Sequence, residues 1–79
     1  MKNNKIDASN LIDDLSKENK FTFDEINFKI FKEFGLSERF VKQYINQLIT
    51  LHKVMIKDNG VVVWIEKDNQ EVENGKEDN

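Results

Sequence analysis

The sequence predicts an α+β domain in which three helices precede a C-terminal β-hairpin. Apolar residues recur at helical spacing in three successive stretches separated by breaker residues. An Asn59-Gly60 pair stands between two apolar, β-branched runs, 54–57 and 61–65. The length, 79 residues of which 38% are apolar, suffices for one small core.

The elements follow in order. Residues 1–5 are polar and expected to fray. Asp7 is positioned to cap a first helix with Ala8, Leu11, Ile12 and Leu15 on one face, ending at Asn19-Lys20. Lys20-Phe21-Thr22-Phe23 alternates like a very short strand. Thr22 and Glu25 have the spacing of a capping box, in which each side chain satisfies a backbone N–H at the helix start. The helix it opens runs over 23–34 with Ile26, Ile30 and Phe34 in one stripe, and Gly35 supplies the left-handed residue that closes it. Ser37 is a suitable N-cap for a third helix over 38–52, its apolar stripe made by Val41, Ile45, Leu48 and Leu51 and widened by Phe40 and Tyr44. Asn59-Gly60 fits a two-residue type I′ turn, which needs positive φ at both positions. That turn would set Ile56 opposite Val63 and Met55 opposite Trp64. One face would then hold Val54, Ile56, Val63 and Ile65, and the other Met55, Val62 and Trp64 with Lys57. Residues 1–66 read as a single domain and 67–79 as a disordered acidic tail.

Helix, short strand, helix, turn, helix and hairpin, in about 60 residues, is the order of a winged helix, a helix-turn-helix with a β-wing. A three-helix bundle is the competing fold, and it leaves the hairpin signal unexplained.

Charge narrows the function. The chain carries a net charge of −3, and residues 66–79 hold six acidic against two basic side chains, so the first 65 residues are close to neutral with ten basic and nine acidic. A DNA-binding surface usually carries a strong basic excess, because phosphate contacts dominate its affinity. With no cysteine and one histidine, thiolate metal sites, iron–sulfur clusters, disulfides and paired-histidine metal sites are excluded; neither a metal nor a cofactor is expected. No apolar run approaches the ~20 residues of a membrane span, and no signal-like segment is seen. His52 ends the third helix with no nucleophile or paired base beside it in sequence, and no Gly-rich phosphate loop occurs, so an enzyme is the least expected class.

Two surfaces remain. Arg39, Lys42, Gln43 and Asn46 share the outer face of the third helix, and these side chains can read base edges in the major groove or form an ordinary solvated face. Glu38 and Asp58 place acids where phosphates would come. On the hairpin, Met55, Val62 and Trp64, flanked by Lys57, either pack within the domain or form a patch that docks a partner.

Lys20-Phe21-Thr22-Phe23-Asp24-Glu25, the run Arg39-Phe40-Val41-Lys42 continuing to Leu48, and the hairpin after Val54 resemble the dissimilatory sulfite reductase D family over about residues 8–66. The resemblance implies a winged-helix fold and a cytoplasmic, non-catalytic accessory protein that binds dissimilatory sulfite reductase and activates it allosterically. On that reading Arg39, Lys42, Gln43, Asn46, Met55, Lys57, Val62 and Trp64 are the candidate contacts. The chain departs from the family in its shorter, more apolar wing at Asp58-Asn59-Gly60 and in the bulkier Gln43-Tyr44-Ile45. The alternative is a DNA-binding transcriptional regulator, as a homodimer, with the third helix as recognition helix. An interaction protein from a mobile element is a third option, supported only by the small size.

Overall fold

The computed structural model describes residues 4–65; the outermost N-terminal residues and the acidic tail lie outside the described residues. Three helices, α1 (Asn4–Lys17), α2 (Phe23–Phe34) and α3 (Glu38–Thr50), precede an antiparallel hairpin of β1 (Val54–Ile56) and β2 (Val62–Trp64). The layout is that of a winged helix. A single bridge pairs Thr22 with Val61, so the Phe21–Phe23 segment lies along the free edge of β2 as the expected short strand. Val62 donates to the Phe21 carbonyl at 2.9 Å and Phe23 to the Gly60 carbonyl at 3.2 Å.

α1 starts at Asn4, earlier than a cap at Asp7 would place it; Asp7 lies in the first turn instead, where its charge opposes the positive end of the helix dipole. Its buried line is Ala8, Ile12 and Leu15, joined by Ser16, whose hydroxyl donates to the Ile12 carbonyl at 2.8 Å and so enters the core satisfied. Asn19 closes the helix at φ 59°, and its Oδ1 accepts from the Trp64 N–H at 2.9 Å. One residue thus ends α1 and ties it to β2.

The capping box of α2 is formed, with Thr22 accepting from the Glu25 N–H and Glu25 accepting from the Thr22 N–H at 2.8 Å. Gly35 closes α2 at φ 71° and donates to the Phe31 carbonyl. Ser37 holds the N-cap position of α3 but makes no side-chain cap bond. α3 ends in a Schellman motif: Lys53 donates to the Leu48 carbonyl at 2.8 Å and His52 to the Ile49 carbonyl at 2.9 Å. His52, not glycine, occupies the left-handed position, at φ 62°.

The core gathers Ala8, Ile12 and Leu15 of α1, Ile26 and Ile30 of α2, Val41, Ile45 and Leu48 of α3, Val54 of β1 and Val62 of β2. Phe21, Phe23, Phe34, Leu36, Phe40, Tyr44 and Trp64 pack around it half-buried.

The hairpin corrects the expected register. Val54 pairs with Trp64, Met55 with Val63 and Ile56 with Val62, one residue off the pairing a two-residue turn would give. Gly60 has φ 88° while Asn59 is not in the left-handed region. Gly60 donates to the Lys57 carbonyl at 2.8 Å and Lys57 donates to the Val61 carbonyl at 2.9 Å. This is a three-residue loop, Asp58-Asn59-Gly60, with a type I turn followed by a left-handed glycine at a bulge. Asn59 stabilises it differently from a type I′ turn, its Oδ1 accepting from the Val61 N–H at 3.1 Å. The extra loop residue turns all of β2 over. Val62 and Trp64 join Val54 on the core side, and Val63 moves to the outer face with Met55.

Two backbone positions should therefore respond with opposite sign. His52→Gly removes the left-handed strain of a non-glycine residue and should stabilise the domain by about 1 kcal/mol. Gly60→Ala should destabilise it by about 1–2 kcal/mol. A Cβ at Gly60 meets only Thr22 Cγ2, at an ordinary 3.9 Å, so that cost comes from the backbone. Chemical denaturation of both variants checks the signs.

Candidate partner-binding face

α3 presents its outer face because its inner one is pinned. Val41, Ile45 and Leu48 are buried, and rotating 100° per residue from them brings Arg39, Gln43 and Asn46 to the opposite side with Lys42 beside them. All four are exposed. Glu38 lies in the first turn, where its carboxylate opposes the helix dipole and puts an acid at the entrance to this face.

On the wing the predicted contacts divide. Met55 is 50% exposed and Lys57 is exposed, both on the outer side of β1. Val62 is fully buried and contributes to the core, so it cannot contact a partner directly; the one-residue shift in register is the cause. Trp64 also turns inward and is half-buried, with the Lys17 ammonium 4.8 Å above its ring. That cation–π contact caps the indole from the α1 side. A continuous patch of Met55, Val62 and Trp64 does not exist. The exposed apolar side chains at the end of α3 and on the outer face of β1 are Leu51 and Met55, while Ile56, also about half exposed, is on the opposite face of the strand, paired with Val62.

Sequence reasoning missed the contact that fixes α3 against α1. The Tyr44 hydroxyl donates to Asp13 Oδ1 at 2.9 Å, and its ring stacks on Phe40 with centroids 6.4 Å apart. Partial burial, then the hydrogen bond to the Asp13 carboxylate and its negative charge, push the Tyr44 phenol up to about 12. The signal for this pair was weak, since Asp13 and Tyr44 are 31 positions apart and each reads alone as an amphipathic edge residue.

Also missed were Phe28 and Phe31 on α2, which stand 62% and 60% exposed. Their positions fall off the Ile26–Ile30–Phe34 stripe, and that offset was the available signal. A groove beside Phe28 is lined by Phe21, Asp24, Glu25, Lys29, Lys32 and Glu33. Lys29 and Lys20 approach the Phe21 ring at 5.5 and 5.4 Å.

Among the described residues no group of three metal-ligating side chains comes together, and no helix is long and apolar enough to cross a membrane. Compared with protein-family models, with curated proteins and with solved structures, the chain gives no match.

Tyr44 supplies a clean test of the α1–α3 contact, because it is the only tyrosine in the chain. Absorbance titration should place tyrosinate formation near 12, and Asp13→Asn should lower it in part, burial being the larger cause. The folded phenol holds its proton more tightly than the unfolded one. The stability it contributes is therefore complete below the ordinary value of 10.0 and falls as pH rises from there toward about 12. A midpoint near 10 in the folded protein would remove the contact.

Proposed function

We propose that the protein is a non-catalytic winged-helix accessory protein that works in the cytoplasm by docking on another protein. The partner we infer is dissimilatory sulfite reductase, whose turnover it raises by binding one state of the enzyme better than another. The observation that carries the docking reading is the make-up of the α3 and β1 surface. Arg39, Lys42, Gln43 and Asn46 stand exposed on α3, half-exposed apolar Leu51 and Met55 follow at its C-terminal end and on the outer face of β1, and Glu38 and Asp58 bring acids to the helix start and the hairpin loop. A mixed polar and apolar surface, with Arg39, Lys42, Lys53 and Lys57 against Glu38 and Asp58 in a body of ten basic and nine acidic side chains, suits a polypeptide better than a phosphate backbone. The identity of the partner rests on the resemblance of residues 20–25, the run from Arg39 to Leu48 and the hairpin to the sulfite reductase D family.

A DNA-binding regulator is the second reading. It is favoured by the alignment of Arg39, Gln43 and Asn46 along the exposed side of the helix that reads the major groove in winged helices.

Gel filtration of the protein with purified dissimilatory sulfite reductase, and sulfite reduction rates with and without it, test the first reading. Co-elution and a raised rate are expected, and Met55→Asp should weaken the complex about ten-fold. Absence of both effects would sink it. Arg39→Ala with Lys42→Ala separates the two readings on DNA: the regulator predicts a low-salt gel shift that this pair abolishes, whereas the accessory protein gives no shift.

A further inference from the structure

The outer face of α2 is built to meet a copy of itself. Asp24, Phe28 and Lys32 follow at intervals of four and form one line down the side opposite Ile26 and Ile30, with Phe28 at its midpoint. Phe31 flanks the line on one side, and Glu25 and Lys29 flank it on the other. Phe28 and Phe31 are the two most exposed aromatic side chains among the described residues, at 62% and 60%. The Lys32 ammonium lies 5.9 Å over the Phe28 ring of its own chain, so the cation is held at the rim of the apolar patch.

On this face the charge pattern is antisymmetric about Phe28: Asp24 and Glu25 precede it and Lys29 and Lys32 follow, while Glu33 falls about 140° from Phe28 around the helix. Two such helices laid antiparallel, with a two-fold axis at Phe28, set each Asp24 opposite Lys32 of the other copy. They also bring each Glu25 close to the other Lys29 and the two Phe28 rings together. A parallel arrangement would instead set acid against acid and lysine against lysine. A groove already runs beside Phe28, giving the facing ring a concave seat. We propose that the outer face of α2 is a homodimer interface, an isologous antiparallel α2–α2 contact centred on Phe28.

The contact leaves the exposed faces of α3 and β1 free, so the dimer presents two copies of the partner-binding face. It does not depend on what that face binds. One helix face of twelve residues falls at the small end of specific interfaces, so association is reversible and concentration-dependent.

Sedimentation velocity on the full chain between about 10 and about 500 µM should show monomer converting to dimer. Phe28→Ser should weaken dimerisation about ten-fold or more. Asp24→Lys and Lys32→Glu, each folded by circular dichroism, should each be monomeric alone. Mixed together they should form a heterodimer, because both contacts between unlike chains then join opposite charges. A wild-type chain that stays monomeric throughout would overturn the proposal, and the face would then serve a different partner. A dimer that survives Phe28→Ser would do the same, as would folded charge variants that fail to pair when mixed.

Discussion

The positive φ of Gly60 is the constraint on which the rest of the domain depends. Taking the left-handed position after a type I turn, it closes the three-residue loop that the packing of Val62 selects, and loop length sets register. That register turns Val62 inward to meet Val54, giving the helices an apolar floor. It also places the Phe21 and Gly60 carbonyls where Val62 and Phe23 donate to them, so the strand leading into α2 is fixed to the wing. The capping box at Thr22 begins at that bridge. A wing joined in this way to the start of α2, and through Asn19 to the end of α1, is part of the scaffold that orients α3.

Much of this was legible because the signals were local. The Thr22–Glu25 spacing, Gly35 and the Val41–Ile45–Leu48 stripe each specify geometry within a few residues, and each is found where expected. The start of α1 was not legible, because Asn4 and Lys5 are polar and Ile6, 59% exposed, falls opposite the buried line of Ala8, Ile12 and Leu15. The hairpin register was not legible for a different reason. Asn59-Gly60 is compatible with two loops that differ by one residue, and the choice is made by packing. With Val62 inward, the sheet adds a second fully buried valine beside Val54. Half of the candidate wing surface changed face with that choice: Met55 and Lys57 stay outward, and Val62 and Trp64 do not.

The surface divides by chemistry in a way the apolar stripes alone did not reveal. α3 exposes long polar side chains with apolar groups at its C-terminal end, which suits reversible docking of another macromolecule. α2 exposes aromatic rings among opposed charges, a pattern that is complementary to itself. The two helices meet at the turn Gly35-Leu36-Ser37, where Leu36 packs on the core. That turn holds the two outer faces at a fixed orientation while each remains open.

Cross-strand contacts between Hα protons in the hairpin, read from nuclear Overhauser spectra, test the central claim most directly. In antiparallel pairs these contacts are short where the residues are not hydrogen-bonded to each other. The three-residue loop predicts them between Ile56 and Val62 and between Val54 and Trp64. Contacts between Met55 and Trp64 and between Lys57 and Val62 would mean a two-residue turn, with Val62 facing outward and the core floor described above absent.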